Sequence, residues 1–120
     1  MYNPKVMAEL VGRCLHMVTQ AHVKHLATRS YAKHMALQGL YESVGDLADG
    51  LAESCQGKYG LLAINASYEV PGDELALVLG LAQWIEGNSK ACCDDDWIQN
   101  QIQEIVKLLY GVVYKLRFLA

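Results

Sequence analysis

The chain has 120 residues, of which 52% are hydrophobic and only two are proline, and its formal net charge is -3 at pH 7. A chain of this length and composition can bury a real core, which predicts a single folded domain over residues 1–120 and excludes wholesale disorder. The acidic balance and the lack of a lysine-rich tail argue against DNA as a partner.

Two helices are predicted in the first half of the chain. The first is expected over residues 4–26, because its apolar residues recur every three or four positions and a proline stands in its first turn. The turn "ATRS" follows, where Thr28 or Ser30 can cap the next helix. That second helix is expected over residues 31–56, again with one apolar face.

A long connection separates the second helix from the third. Gly57 and Gly60 are expected to end the second helix, and the apolar stretch after them could hold a short helix of its own. The Pro-Gly-Asp turn at residues 71–73 predicts the start of a third helix. This helix is expected to reach Glu86 and to stop at the Gly-Asn pair at residues 87–88.

The third and fourth helices differ in their apolar pattern. Apolar residues lie on nearly every side of the third helix, which indicates burial against another subunit. Three aspartates at residues 94–96 then begin the fourth helix, where their charge complements the helix dipole. Apolar residues in the fourth helix alternate steps of four and three, as in bundle packing. They are Ile98, Ile102, Ile105, Leu109, Val112, Leu116 and Leu119.

The order of these elements predicts the fold. A short turn makes the first two helices an antiparallel pair, and a long connection leads to the second pair. This is the connectivity of an all-α, ferritin-like four-helix bundle with a long crossover between helices two and three. The first residues lack the pattern of a signal peptide, and the longest apolar run, residues 75–85, is too short to cross a bilayer. We therefore expect a cytoplasmic protein that does not contact a membrane.

Histidines and carboxylates on the first two helices form a candidate metal site. His22 closes the first helix and His34 opens the second, so an antiparallel hairpin brings their imidazoles near each other. Asp49 and Glu53 are four residues apart and share one helix face. Fifteen residues separate His34 from Asp49, roughly 22 Å along a helix. One chain therefore cannot bring all four to one ion, whereas a two-fold axis across the second helix can.

The spacing of these residues resembles that of the Dps-type mini-ferritins, the DNA-binding proteins from starved cells. The matching features are "TQAH" ending at His22, His34 twelve residues later, Asp49 fifteen beyond and Glu53 four beyond that. The resemblance is strongest over residues 18–60. It implies iron as the metal, with these four residues as ligands shared between subunits. It further implies oxidation of Fe²⁺ to Fe³⁺ by hydrogen peroxide or dioxygen, and iron storage in a twelve-subunit shell built from two-fold dimers.

Three departures from the family pattern bear on this expectation. Gln38 stands where the family usually has an aspartate, which weakens a second iron site and leaves a mononuclear or asymmetric centre. Asp46 is an alternative source of the missing acid. Val23 stands where the family often has tryptophan, and the third helix is shorter, which can change how dimers assemble.

Alternative functions remain open at this stage. The chain contains no E-x-x-H pair, so the site that ordinary ferritin-like di-iron proteins build inside one bundle is not expected. A ferritin-like helical oligomer without ferroxidase activity is the main alternative, and Gln38 favours it. DNA compaction, the other activity of the family, is disfavoured by the acidic balance.

Other candidate residues have two interpretations each. His25 can chelate together with His22, or it can line the turn, and the second interpretation is preferred. His16 has no evident partner and is interpreted as structural. Tyr41, Tyr110 and Tyr114 are interpreted as bundle packing, although a tyrosine beside an iron centre can also carry an oxidising equivalent.

Overall fold

A computed structural model describes residues 1–69 and 72–120, and this part of the chain is all-helical, with no strand. Four α-helices pack against each other, which confirms that the fold is an all-α helical bundle. The helices are α1 (Pro4–Ala27), α2 (Tyr31–Tyr59), α3 (Glu74–Asn88) and α4 (Asp96–Phe118), with a single 3₁₀ turn (Ser89–Ala91) between α3 and α4.

The turn between α1 and α2 is built by short polar side chains. Ser30 is the residue that caps α2, because its side chain accepts a hydrogen bond from the backbone N–H of Lys33. Thr28 instead ends α1, where its backbone N–H donates to the carbonyl of Lys24. Its hydroxyl accepts from the backbone N–H of Ser30, so both predicted capping residues stabilise this turn.

Two helices run two or three residues past the last residue predicted for them, for the same reason. The second helix continues through Gly57 to Tyr59, and the third continues through Gly87 to Asn88. A helix tolerates glycine in its last turns, at a cost of about 1 kcal/mol, when the chain around it is helical. Gly60, with φ of 99°, is the residue that ends α2, since this backbone conformation favours glycine.

The connection after α2 contains no helix over residues 61–69, so the short helix expected there is absent from that stretch. Two of its backbone donors bind side chains outside the segment instead. The N–H of Leu62 donates to the side chain of Gln56, and the N–H of Tyr68 donates to the ring of His16 in α1. The segment therefore lies extended against α1. The predicted start of α3 is confirmed at Asp73, which caps the helix. Pro71 lies outside the residues that the structure describes.

The core follows the predicted apolar faces, with one correction. Every predicted apolar position on α4 is buried except Leu119, which is 56% exposed because it lies beyond the end of the helix. Within this chain the third helix buries one face, and Gly80 and Gln83 on its other side are exposed. Burial of that side against another subunit stays a prediction. The largest fully buried side chains are Met7, Leu10, Leu37, Leu40, Leu51, Ile85, Ile98, Ile102, Ile105 and Leu109.

The helices pack in a defined order around this core. Helix α2 packs against α1 and α4, and α3 packs against α4 and, less extensively, against α1. The end of α2 lies beside the beginning of α4, because the hydroxyl of Ser54 donates to the side chain of Gln101 and Lys58 pairs with Asp95. Helices α2 and α4 are therefore antiparallel, as α1 and α2 are.

Asp95 connects the end of α2 to the start of α4. It holds the cap position of α4, but its carboxylate accepts hydrogen bonds from the ammonium of Lys58 and from the hydroxyl of Tyr59 rather than from α4. The bond from Lys58, and then the bond from Tyr59, lowers the pKa of Asp95. The side chain of Asp95 thus links two helices and makes no capping hydrogen bond to α4.

This link predicts a pH-dependent contribution to stability. The pKa of Asp95 is lower in the folded state than in the unfolded state. The ionised carboxylate therefore stabilises the fold above the unfolded pKa of about 3.9, and this stabilisation is lost as the pH falls through the folded pKa. Asp95→Asn should therefore lower the urea midpoint at pH 6 and change it much less at pH 2.5. Asp96→Asn is the matched control, since the neighbouring Asp96 is exposed. An equal loss at both pH values would show that the charge of Asp95 contributes nothing.

Candidate metal centre

His25 and His34 contact each other across the turn between α1 and α2. Their rings stack with centroids 3.6 Å apart, and His25 is only 6% exposed. The Nδ1–H of His25 donates to the carbonyl of His34 over 2.7 Å, and the Nδ1–H of His34 donates to the carbonyl of His25 over 2.8 Å. A carbonyl oxygen only accepts, so both Nδ1 atoms carry the proton. In each neutral ring the lone pair is therefore on Nε2.

His22 joins the same group of rings from the last turns of α1. Its ring stacks on Tyr41 with centroids 4.2 Å apart and an interplanar angle of 13°. The ring of His25 lies between the two predicted ligands, 5.9 Å from His22 and 3.6 Å from His34. The fold thus gathers three histidines and Tyr41 into one group, which we call the histidine cluster. His25 lines the turn within it, as the preferred interpretation expected.

The predicted carboxylate ligands lie further along α2. Asp49 and Glu53 are exposed, and they share a helix face with Glu42 and Asp46, since steps of four, three and four residues keep to one side. We call these four residues the acidic strip. Over residues 1–69 and 72–120, no lysine, arginine or histidine forms an ion pair with any of them. Four carboxylates therefore face outward without a cation from their own chain.

Gln38 also lies on α2, where the mini-ferritin pattern usually has an acid. Its side-chain amide donates a hydrogen bond to the carboxylate of Glu42 over 3.2 Å. An amide carries no charge, and one of its donors is already occupied. The position is therefore a weaker ligand for a hard cation than a carboxylate would be.

The histidines and the carboxylates are not brought together within one chain. In the part of the chain that the structure describes, no group of three or more His, Cys, Asp or Glu side chains could hold a metal ion. A site made of His22, His34, Asp49 and Glu53 thus remains a prediction that requires a second chain. The donors themselves suit a metal: ligating histidines commonly donate the other ring N–H to a carbonyl, as His34 does.

His16 lies outside the histidine cluster, and the prediction that it lacks a partner was wrong. Its Nδ1 accepts a hydrogen bond of 2.9 Å from the backbone N–H of Tyr68, and its Nε2 lies 3.0 Å from the side chain of Gln20. The ring thus fixes the connection to α1. It keeps the structural role that was expected, through contacts that the local sequence pattern does not reveal.

A second polar site beside His16 was missed by the sequence analysis. The guanidinium of Arg13 lies between the rings of Tyr68 and Trp84, 4.7 Å and 4.6 Å from their centroids, and pairs with Glu9 over 2.7 Å. Arg13, Tyr68 and Trp84 border a cleft of about 190 Å³ between α1 and α3. The three elements are far apart in sequence, so periodicity gives no signal for this contact. Tyr68 and Arg13 together help to hold the connection on α1.

The chain was compared with models of protein families. Residues 25–116 match a family described as a family of unknown function, DUF5856. The chain belongs to this family. The DUF5856 match begins at His25, so it includes His34, Asp49 and Glu53 and does not include His22. No curated protein and no solved structure matches the chain.

The helices were also compared with the length and hydropathy that a bilayer requires. Over the described residues, none of them has an apolar stretch that could cross a membrane.

Proposed function

We propose that this chain is a Dps-like mini-ferritin that binds Fe(II) at sites shared across a subunit two-fold axis and oxidises it to Fe(III). The observation that carries the proposal is the orientation of His34. Its Nδ1–H is held by the carbonyl of His25, which leaves the Nε2 lone pair for a metal. The remaining proposed ligands are His22, which is exposed in the histidine cluster, and Asp49 and Glu53 on the acidic strip.

The charge distribution on α2 supports a shared site. The acidic strip has no cation from its own chain in the described residues. Lys33 lies in the first turn of α2 and Arg29 in the turn before it, both near the histidine cluster in sequence. An antiparallel copy of α2 sets that basic end against Asp49 and Glu53 of its mate. An isologous dimer of this kind contains two equivalent iron sites. Such dimers can then assemble into a hollow shell that stores the ferric product.

The helix arrangement supports a ferritin-like topology for this dimer. Helix α2 is antiparallel to α1 and α4, and α3 packs against α4 and α1. Residues 61–69 leave the end of α2 and run along α1 past Gly12 to His16. We infer that the connection continues along the bundle as a long crossover to the start of α3 at Glu74. All four cysteines are free thiols, which supports a reducing compartment such as the cytoplasm.

Each ligand has a defined role in the proposed reaction. His22 and His34 act as neutral donors that position the ion, while Asp49 and Glu53 supply the negative charge that favours Fe(III) over Fe(II). Glu53 can also bridge to a second ion. Iron itself is the substrate and provides the redox chemistry, with hydrogen peroxide or dioxygen as the oxidant.

A helical oligomer without ferroxidase activity is the second candidate. The hydrogen bond from Gln38 to Glu42 favours it, because this bond ties up a neutral side chain at a position where a carboxylate would strengthen iron binding. In this alternative the two-fold contact would be purely structural.

Anaerobic addition of one Fe(II) per chain, followed by hydrogen peroxide, separates the two candidates. Ferric absorbance should develop faster with the wild-type protein than in protein-free buffer. The Asp49→Asn/Glu53→Gln variant should fall to the protein-free rate, because it keeps the size of both side chains and loses their charge. The Asp94→Asn/Asp96→Asn variant removes the same charge from the start of α4 and should behave as wild type. A wild-type rate equal to that of buffer would favour the structural oligomer.

A further inference from the structure

His16 holds the connection after α2 against α1 through an acceptor that a proton removes. The backbone N–H of Tyr68 donates to Nδ1 of His16 over 2.9 Å. A ring nitrogen accepts only through its lone pair, so Nδ1 carries no proton and the neutral ring has its proton on Nε2. Protonation of the ring turns Nδ1 into a second donor that faces the N–H of Tyr68. This contact therefore requires the neutral form of His16.

The histidines of the turn between α1 and α2 do not share this requirement. In both His25 and His34 the Nδ1–H donates to a backbone carbonyl, and a protonated ring keeps that bond. His22 contacts its neighbours by ring stacking, and among the described residues no hydrogen bond joins it to the connection. His16 is thus the histidine whose charge decides whether the connection stays on α1.

The groups around His16 give little compensation for a positive charge on its ring. On α1, the guanidinium of Arg13 borders the same cleft, and Glu9 already pairs with it over 2.7 Å. The connection contributes the phenol of Tyr68 and the carboxylate of Glu69, which is exposed, so solvent screens its attraction for a charged ring. The α3 residues that line the cleft carry no charge. They are Leu77, Gly80, Leu81 and Trp84.

Loss of the bond between Tyr68 and His16 affects the cleft between α1 and α3. Tyr68 forms one side of this cleft, and its ring packs on the guanidinium of Arg13 at 4.7 Å from the centroid. When the backbone of Tyr68 leaves α1, this packing is lost as well and the cleft widens. Its apolar lining then becomes accessible to solvent. The residues uncovered in this way are the buried Met17, Leu77 and Leu81.

We propose that residues 61–69 form a pH-sensitive strap, which His16 holds closed on α1 while its ring is neutral and releases when the ring is protonated. The strap uses no residue of the proposed iron site. Because the closed state needs the neutral ring and the open state accepts either form, a falling pH favours the open state. A solvated histidine has about ten times more charged than neutral form at pH 5.5, and the reverse at pH 7.5. The open population should therefore rise roughly tenfold over this range.

Hydrogen exchange of the backbone N–H of Tyr68 measures the opening directly. The full chain, without added metal, is measured at pH 7.5, 6.5 and 5.5, a range above that in which ordinary carboxylates titrate. Each rate is divided by the rate of an unstructured peptide at the same pH. Protection of the Tyr68 N–H should fall roughly tenfold between pH 7.5 and 5.5. The N–H of Leu109, a buried residue of α4, should keep its protection.

His16→Asn separates the proton from the acceptor. The side-chain oxygen of asparagine accepts a hydrogen bond at about the position of Nδ1 and does not titrate, so Tyr68 should be protected equally at all three pH values. His16→Leu lacks any acceptor and should show weak protection throughout. His22→Asn is the matched control, because it makes the same change on an exposed part of α1, and it should keep the pH dependence of wild type.

The wild-type protein also supplies a test that needs no variant. The ring-proton shifts of His16 should titrate over the same pH range in which Tyr68 loses its protection. Protection of Tyr68 that does not change with pH would overturn the proposal. A fall that persists in His16→Asn would assign the effect to another group. An equal fall at Leu109 would show that the whole bundle opens in acid, rather than the strap.

Discussion

His22→Ala and Asp49→Ala should each abolish iron oxidation, and an equal mixture of the two variants should recover about a quarter of the wild-type sites. The reason is that each proposed site takes its histidines from one subunit and its carboxylates from the other. A mixed dimer then contains one site that lacks both mutated ligands and one site that is intact. If subunits exchange at random, half of the dimers are mixed, and half of their sites work.

The measurement is the ferric absorbance after co-refolding of the two variants, with each variant alone as the baseline. A mixture of His22→Ala with His34→Ala is the matched control. Both of these ligands come from the same subunit in the proposed geometry, so every site in that mixture lacks one histidine and no activity should return. Recovery in the control, or none in the test mixture, would contradict ligands shared across the axis.

The four helices could be predicted because their apolar residues recur with helical spacing. The helix ends were harder to predict, because Gly57 and Gly87 resemble helix stops in sequence and yet lie inside helices. Among the described glycines, Gly60 alone has a positive φ, which glycine adopts without a steric cost, and it ends α2. Sequence alone does not distinguish these cases, because the choice depends on whether the chain beyond the glycine remains packed.

The candidate site was predictable in part. Helical spacing placed His22 and His34 at one end of the hairpin and Asp49 further along α2, and the structure agrees with both positions. The reciprocal hydrogen bonds between His25 and His34 could not be foreseen, because they depend on the conformation of the turn. The stack of Tyr41 on His22 likewise joins different helices, and no pattern within one helix indicates it.

The path of the connection after α2 depends on Gly12, which the sequence pattern does not single out. Gly12 is buried in α1, and a Cβ atom there would collide with the backbone carbonyl oxygen of Asn65 and lie 2.9 Å from the hydroxyl of Tyr68. A backbone carbonyl cannot rotate away as a long side chain can. The extended segment at residues 61–69 therefore needs glycine at this position in order to lie against α1.

Gly12→Ala should consequently destabilise the fold by about 1–3 kcal/mol, even though alanine is the better helix former. The expected readouts are a lower urea midpoint and faster proteolysis within residues 61–69, because displacement of Asn65 also pulls Tyr68 away from His16 and Arg13. Gly111→Ala is the matched control. A Cβ at this exposed position in α4 would meet no atom within 4 Å.

Gly111→Ala should raise the stability by about 0.5–1 kcal/mol, which is the helix preference of alanine over glycine without a steric cost. Opposite signs for the two substitutions would show that the segment lies on α1. If Gly12→Ala were as stable as Gly111→Ala, the segment would not be held there. The proposed crossover would then lose its support, because it requires the connection to leave α2 along α1 toward the start of α3.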